Sequence, residues 1–466
     1  MRVAFGKVKI TPKNYIGIPL SGYTRKKKCD GKLDDLYAHA VLIEVDYLKN
    51  LKKRILFIST DLLKLPMVYT DYVKEKIFKK YRIPKGQILI HATHTHAAPD
   101  LNGEFAYPGG IIAMIKGILF GIPHDKYLVE IAMKIEKLVG FLINNLKPCK
   151  LAWKKEKIEE DIIINRRHPE RRSKFHLGII AFKSLNNKKL LGFIVNYACH
   201  GTTLSNENFK ISADYIGRLI YRIEELTNNE VNAVYFNGPS GDINPITTCG
   251  NDFDNLKKDY SILYEQKGTY KDTIRIGYFL GEKALKLANS IKDSEYIENC
   301  EIKVYEKIFS IPVKDYNKYF NLNLFQNRLL YLIKKYVFLP ILLAKPTPNF
   351  PSIALKRKGL KINAYSIIQV FQIKTNKGIL FITGVPSEVF ENIGKKIFDI
   401  TPSGFENQFI FQNSNDWVGY LFPIDEYTKG GYEGLPTFLP LSGIYTEIEV
   451  LKLYNEIKRS INQYHY

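Results

Sequence analysis

Six short runs of apolar residues, each followed by a polar or ionisable side chain, form the main pattern in this chain. Continuous apolar runs of this length are typical of strands buried on both faces, and loops at the carboxyl ends of such strands carry chemistry in α/β proteins. The pattern therefore predicts a functional site at strand ends. The runs are Arg54–Thr60 before Asp61, Gln87–Ile90 before His91, Leu191–Cys199 before His200, Val231–Phe236 before Asn237, Gly378–Ser387 before Glu388, and Gln408–Gln412 before Asn413.

Helical stretches separate these runs, and the alternation predicts an α/β architecture. The stretch Asn376–Gly378 is typical of a hairpin turn, so some strands should be antiparallel, and we expect one or more mixed central sheets with flanking helices. Residues 1–466 are predicted to form a single large domain, with an insertion or cap at 303–360, where the alternation fails. The predicted helices are Tyr69–Tyr81, Lys126–Leu146, Asp214–Thr227, Ile276–Ser290 and Glu447–Asn462.

Composition indicates a globular protein with an excess of positive charge. The 466 residues are 45% hydrophobic and 25% charged, with a formal net charge of +21. The lysines are spread along the chain, which favours a solvated surface, and an anionic membrane surface is the next candidate partner. No nucleic-acid partner is expected, because no motif for one is found. The sequence indicates no oligomeric state.

The chain is predicted to be cytoplasmic. Its five cysteines are far apart and form no C-x-x-C pair, as expected in a reducing compartment. The N-terminus alternates like a strand and lacks a signal peptide. The apolar stretches Ile111–Ile122 and Leu329–Ala344 fall short of the roughly 20 apolar residues of a membrane span. They are interpreted as core helices or as a lipid-facing lid or interfacial segment.

Three of the nine histidines lie within the run from His91 to His96. Imidazole is a frequent metal ligand and proton shuttle, so the run predicts a metal or catalytic role. On an extended segment His94 and His96 would point to one side and His91 to the other, which favours a structural or supporting role for His91. Taken alone, His200 is equally compatible with a structural role, and Glu388 is better explained as a carboxylate at a helix N-terminus, where the helix dipole favours it. These residues together indicate a metal-assisted hydrolase.

Short motifs also follow one another in a fixed order along nearly the whole chain. They are Gly6–Pro12, Leu20–Tyr23, Asp34–Leu42, Ala92–His96, Ile164–Arg166, Asn196–Thr202, Ser240–Pro245, Val385–Glu388, Gly419–Tyr420, Asp425–Tyr427 and Tyr432–Gly434. In this order the chain resembles the neutral/alkaline non-lysosomal ceramidase family, zinc amidases that cleave the N-acyl bond of ceramide.

The resemblance implies one zinc ion and a set of residues around it. The implied metal ligands, completed by a water, are His94, His200, Glu388 and Tyr420. The ion would lower the pKa of bound water toward about 7 for attack on the acyl carbon. Arg166 and Tyr432 would then stabilise the oxyanion, and His96 would pass a proton to the leaving amine.

Three departures from the family pattern shift the expected substrate. Asn244 stands where ceramidases carry a serine implicated in catalysis or substrate contact; an amide cannot act as a nucleophile, but it can hydrogen-bond. We also expect the family's C-terminal immunoglobulin-like domain and its export signal to be absent. We therefore expect a shorter intracellular relative that hydrolyses ceramide or another N-acyl lipid or amine. The alternatives are a zinc ester or phosphoester hydrolase and a catalytically silent binding protein.

Overall fold

The structure of the chain, a computed structural model, describes residues 1–47, 51–171, 173–247, 268–312, 349–350, 354–358, 361–423 and 448–456, together with residues 426, 433 and 459. The helices, in chain order, are α1 (Met67–Tyr81), α2 (Ile111–Phe120), α3 (Asp125–Asn144), α4 (Asp214–Leu226), α5 (Tyr270–Asn289) and α6 (Glu391–Ile400), and 448–456 is also helical. The strands are β1 (Arg2–Lys9), β2 (Gly31–Lys32), β3 (Tyr37–Tyr47), β4 (Leu51–Thr60), β5 (Ile88–Ala92), β6 (Lys147–Lys157), β7 (Ile163–Asn165), β8 (His176–Ser184), β9 (Leu190–Tyr197), β10 (Lys210–Ile211), β11 (Asn232–Asn237), β12 (Ile243–Pro245), β13 (Glu301–Pro312), β14 (Ala354–Lys358), β15 (Lys361–Thr375), β16 (Gly378–Gly384), β17 (Glu388–Val389), β18 (Gln408–Phe411) and β19 (Tyr420–Leu421).

Two mixed sheets form the centre of the fold. The first has eight strands in the order β11-β9-β8-β6-β1-β3-β4-β5. The second has five strands in the order β13-β15-β16-β18, with β14 also paired to β15. The prediction of mixed sheets with flanking helices is confirmed, including the antiparallel hairpin in which Thr375 pairs with Gly378.

Helices cover the outer faces of the two sheets, and the inner faces pack against each other. Alternate residues of β4 show this layering: Leu56 and Ile58 lie in the core beneath α1 and α3, whereas Ile55 and Phe57 lie in the core between the sheets. Helices α4 and α5 cover the other half of the first sheet, and α6 with 448–456 covers the second. Burial on both faces explains why the strands are continuous apolar runs.

The six predicted strands and the helices lie close to their predicted positions. The fifth predicted helix is described over 448–456. The insertion or cap at 303–360 falls partly outside the described residues, at 313–348, 351–353 and 359–360, and stays a prediction there. Residues 303–312 belong to β13, and Ala354–Lys358 forms β14, so both flanks are strands of the second sheet.

Parallel pairing brings the ends of six strands to one side of the molecule. Strands β4 and β5, β9 and β11, and β16 and β18 are parallel neighbours. The polar clusters predicted from the sequence follow the carboxyl ends of these strands, where the edges of the two sheets meet. Among the described residues, no helix is long and apolar enough to cross a membrane.

We expect Phe57→Ala to lower the free energy of unfolding by about 3–5 kcal/mol, because it removes a ring from the core that joins the sheets. The Phe57 ring lies 4.8 Å from that of Phe371 and 6.1 Å from that of Phe411, both in the second sheet. Urea unfolding monitored by tryptophan fluorescence measures the change. Phe141→Ala, at a ring that is 53% exposed, is the control and should cost roughly 1 kcal/mol or less. Equal losses in both variants would contradict the assignment.

Candidate active site and metal centre

His94 is placed by the loop that follows β5. Its backbone is left-handed, with φ of 64°, and its N–H donates to the carbonyl of Leu62 at 3.0 Å. Its ring Nδ1 lies 2.7 Å from the carbonyl oxygen of Leu63. A carbonyl can only accept a hydrogen bond, so Nδ1 must carry the proton and Nε2 is left with a lone pair. The imidazole is therefore set up as an Nε2 ligand.

His200 follows β9 and is oriented by the same kind of contact. Its Nδ1 lies 3.2 Å from the carbonyl oxygen of Ile243, which again leaves the lone pair on Nε2. The side chain is buried, and burial lowers the pKa of His200, which keeps the imidazole neutral. Local sequence assigned this residue no role of its own, and the tertiary structure places its ring 5.1 Å from that of His94.

Glu388 lies in the short strand β17, which follows β16 of the second sheet, and faces both imidazoles. Its Oε2 lies 3.2 Å from Nε2 of His94 and 2.8 Å from Nε2 of His200. Burial alone would raise the pKa of this carboxyl, but the two histidines outweigh burial and hold the pKa well below its usual range. Nε2 of both histidines and an ionised carboxylate oxygen thus meet in a buried space. A metal cation there would take the place of the protons that these short contacts share and would bind all three atoms.

The donor set fits a metal ion. The ligand atoms of His94, His200 and Glu388 lie within 4.8 Å of one another, and all three side chains are buried. Two neutral imidazoles and one carboxylate are ligands that zinc accepts, and a catalytic zinc site keeps a further position open for water. The hydrogen bonds to backbone carbonyls on the two Nδ1 atoms are the supporting contacts that metal-binding histidines usually have.

Trp417 forms a hydrogen bond to the second oxygen of Glu388. Local sequence gave no prediction for this residue. The indole N–H donates to Oε1 of Glu388 at 2.8 Å. The ammonium of Lys64 lies 4.1 Å from the centre of the indole ring and is ion-paired with Glu104 at 2.8 Å. The only sequence signal was its position directly after Asp416, in the polar cluster that follows β18.

Tyr420 lies beside Glu388 in the structure. The short strands β17 and β19 pair in parallel, with Glu388 opposite Tyr420, and the N–H of Glu388 donates to the carbonyl of Gly419 at 3.0 Å. The guanidinium of Arg166 lies 5.6 Å from the Tyr420 ring. The register therefore brings Tyr420 next to the proposed metal ligands, and its role as a ligand stays a prediction.

His96 borders the same space but is oriented differently. Its ring lies 5.1 Å from that of His94 and 6.4 Å from that of His200. Both ring nitrogens are buried and have no hydrogen-bond partner in the described part of the chain. Burial, followed by the neighbouring imidazoles, lowers the pKa of His96 well below its usual range, so the ring is neutral. An imidazole whose two nitrogens form no hydrogen bond to the described part of the protein is suited to proton transfer.

The expected extended conformation from His91 to His96 is wrong. Strand β5 ends at Ala92, and the left-handed backbone at His94 turns the chain sharply. The rings of His94 and His96 still meet, because the turn and not strand parity brings them together. His91 remains in β5, with Nδ1 3.0 Å from the hydroxyl of Ser59 and Nε2 accepting the N–H of Asn237. Both its nitrogens are used in holding strands together, which is a structural role.

Arg166 is buried and held in place on three sides. Its guanidinium donates to Oε1 of Glu433 at 2.9 Å, to Oδ1 of Asn244 at 3.0 Å, and to the carbonyl of Gly241 at 2.7 Å. The register of β7 and β12 pairs Asn244 with Ile164, which brings the two motifs together. Arg166 therefore sits as a fixed positive charge near His200, whose pKa it helps to lower.

The neighbouring residue Arg167 ties the late part of the chain to the same place. It donates to Glu426 at 2.7 Å and to Glu433 at 3.1 Å, and all three side chains are buried. Tyr432, predicted to stabilise the oxyanion, lies outside the described residues. Its chain neighbour Glu433 is described and is paired with both arginines.

Fold and site together define a mixed α/β protein with a candidate metal centre where two sheets meet. More specifically, the chain belongs to the neutral/alkaline non-lysosomal ceramidase family, because the model of that family's N-terminal part matches residues 2–322. Membership confirms the prediction of an amidohydrolase.

Two solved structures share the fold. The crystal structure of neutral ceramidase from Pseudomonas aeruginosa has a TM-score of 0.70 at 18% sequence identity, covering 98% of this chain and 74% of that chain. A ceramidase complexed with C2 has a TM-score of 0.72 at 16% identity, covering 98% of this chain and 75% of that chain. No curated protein matches the chain.

We expect Trp417→Phe to weaken metal affinity by about 10–100-fold, because the ring is kept while the hydrogen bond that orients Glu388 is lost. Competition with a chromophoric chelator measures the affinity. Trp153→Phe is the matched control, since the Trp153 indole donates to Asn407 at the same 2.8 Å but far from the site. A Trp417→Phe protein that binds metal as tightly as the control variant would refute the orienting role.

We also expect Gly22→Ala to reduce kcat by about tenfold or more, because a misplaced catalytic group costs steeply in rate. A Cβ at Gly22 would lie 2.3 Å from Cγ of His96, and Gly22 has φ of +87°. Gly17→Ala is the control, since its φ is +79° but a Cβ there meets nothing within 4 Å. The control should lose only about 1–2 kcal/mol of stability. Equal kcat values in the two variants would show that His96 does not depend on this contact.

Proposed function

We propose that this protein is a zinc-dependent amidohydrolase that hydrolyses the N-acyl amide bond of ceramide or of another N-acyl lipid or amine. The observation that carries the proposal is the convergence of His94, His200 and Glu388 on one buried point. Next to it lies His96, whose ring nitrogens have no hydrogen-bond partner among the described residues. Membership of the ceramidase family supports the choice of an amide substrate. So does the similar fold of the ceramidase complexed with C2.

One zinc ion would be held by His94, His200 and Glu388, with Tyr420 as the proposed fourth ligand from the neighbouring strand β19. When bound, zinc supplies Lewis-acid chemistry and activates water for attack on an amide carbonyl. The carbonyl contacts on both Nδ1 atoms and the indole contact on Glu388 hold the ligands in the required orientation. A phenol ionises readily only beside a strong positive charge, since its pKa is normally about 10.

Arg166 would stabilise the negative charge that develops on the carbonyl oxygen. Its guanidinium is buried and fixed, so its charge acts in a low-dielectric site without the cost of reorganising during the reaction. Asn244 takes part through Arg166: its Oδ1 accepts a hydrogen bond from Nη1, which makes it a positioning residue. Tyr432 remains the proposed second donor to this oxygen.

His96 would move the proton that amide cleavage requires. The neutral ring takes a proton from the attacking water on one of its nitrogens, and then delivers it to the amine nitrogen as the C–N bond breaks. An amine leaves poorly without this proton. Because both ring nitrogens are free of protein hydrogen bonds among the described residues, neither step breaks an existing contact.

We further propose a cytoplasmic protein that makes peripheral contact with an anionic membrane surface. The cysteines in the described part of the chain, Cys29, Cys149, Cys199 and Cys300, are all unpaired, which suits a reducing compartment. The net charge of +21 favours anionic surfaces.

Metal analysis together with a substrate panel tests the proposed function. The panel holds N-acyl amines of graded chain length, matched esters and phosphoesters, and product release is followed by mass spectrometry. We expect zinc near one equivalent per chain and release of free amine that stops on chelation and returns with zinc. Turnover of esters or phosphoesters in preference to amides would replace the proposal by the corresponding hydrolase, and binding without turnover would indicate a binding protein.

We expect His94→Ala and Glu388→Ala to lose both zinc and turnover, because each removes a ligand that no neighbour can replace. Zinc content by elemental analysis and amine release are measured on the same samples. His39→Ala, which removes another buried histidine from the middle of β3, is the control and should keep both. Full zinc content in the two site variants would contradict the assignment of His94 and Glu388 as metal ligands.

A further inference from the structure

Helix α2 exposes large apolar side chains to solvent. Ile112 and Phe120 are 80% and 61% exposed, and Ile122, just beyond the helix, is 80% exposed. We call these three residues the α2 surface. Apolar side chains of this size are rarely left exposed together unless they meet a partner.

Small residues on the inner face of α2 hold it in this orientation. A Cβ at Gly117 would lie 2.1 Å from the carbonyl oxygen of Glu104, and one at Gly121 would lie 1.8 Å from that of Gly103. The helix backbone therefore packs directly against the chain that follows the histidine run. With the glycines inward, the exposed isoleucine and phenylalanine side chains face away from the protein.

Lysines surround the α2 surface. Lys26, Lys27, Lys28 and Lys116 are all exposed. Lys28 also lies close enough to His124, two residues after Ile122, to help lower its pKa after burial, the larger cause. Of the acidic groups nearby, Asp30 is paired with Lys27, and Glu104 with Lys64. An apolar patch bordered by cations is complementary to a bilayer with anionic lipid headgroups.

Short contacts connect the α2 surface to the catalytic site. Met114 of α2 lines a small cavity together with Tyr23, whose ring lies 4.5 Å from that of His96. The backbone carbonyl of Arg25 accepts the N–H of Gly109, at the start of the α2 segment, and the Arg25 guanidinium donates to the backbone carbonyl of His96 at 2.7 Å. The exposed apolar helix therefore lies on the His96 side of the site.

We propose that the α2 surface docks the protein on anionic lipid bilayers and so presents the site to N-acyl lipids held in the membrane. The substrate part of this proposal rests on the proposed amidohydrolase function, whereas the docking part deepens the proposed membrane contact and does not depend on the reaction. Apolar side chains would enter the interface while the lysines contact lipid phosphates, so binding should fall as salt rises.

Vesicle co-sedimentation tests docking without any need for catalysis. The probes are vesicles of phosphatidylcholine alone and of equimolar phosphatidylcholine and phosphatidylglycerol. We expect the wild type to sediment with the anionic vesicles only, and the double variant Ile112→Ser/Phe120→Ser to bind about tenfold more weakly or worse. Lys26→Gln/Lys28→Gln should weaken binding and flatten its salt dependence.

Matched variants separate docking from general damage. Ile308→Ser removes an isoleucine that is 61% exposed on β13, and Lys188→Gln/Lys189→Gln removes two exposed lysines elsewhere; both should bind like the wild type. No sedimentation of the wild type, or equal binding by the α2 and control variants, would overturn the proposal. So would a dimer in solution that only the α2 variant disrupts, since the surface would then join two copies of the chain.

A second readout distinguishes failure of docking from failure of the proposed function. The α2 variant should hydrolyse a short, water-soluble N-acyl amide at the wild-type rate, but should lose about tenfold in rate on an N-acyl lipid embedded in anionic vesicles. Vesicle binding without amide hydrolysis would overturn the proposed substrate and leave docking standing. Amide hydrolysis with no vesicle binding by the wild type would overturn docking and leave the proposed substrate standing.

Discussion

The packing of the two sheets against each other is the contact on which the site depends. Phe57 of the first sheet meets Phe371 and Phe411 of the second in a core without water-accessible surface. His94 and His200 lie in loops that follow β5 and β9 of the first sheet, whereas Glu388 lies in β17, just after β16 of the second. Their ligand atoms come within about hydrogen-bond range only because this apolar core fixes the separation of the sheets, and close-packed interiors resist small shifts.

The site concentrates groups that would be unfavourable if the fold did not provide compensating contacts. A buried carboxylate is costly in a low-dielectric interior unless it is paired. Backbone carbonyls accept hydrogen bonds from Nδ1 of both histidines, and the Trp417 indole N–H donates to one oxygen of Glu388. These contacts direct Nε2 of each histidine and the other oxygen of Glu388 at one point. The arrangement lowers the stability of the fold locally, and a bound cation would complete it.

A second buried cluster supports the reacting side of the site. Arg166 and Arg167 are paired with Glu426 and Glu433, and Asn244 completes the hydrogen bonds of Arg166. Removing one member would leave a buried charge without its partner, which is strongly destabilising. The cluster also explains how Asn244 fits this chain: its amide oxygen accepts a hydrogen bond from an arginine and needs no hydroxyl chemistry.

The amino-acid pattern was enough to predict the strands, the helices and several of the residues that the fold brings together at the candidate site. A strand that is buried on both faces is apolar along its length, and polar residues appear where that burial ends. The strands before Asp61, His91 and His200 could therefore be predicted from local sequence. Local pattern could not show that β16 and β18 belong to a second sheet, or that Glu388 faces His94 across the interface. It also missed Trp417, because a single tryptophan has no periodic signal. Which nitrogen of each histidine is free follows only from the folded chain, since distant carbonyls at Leu63 and Ile243 fix the protons.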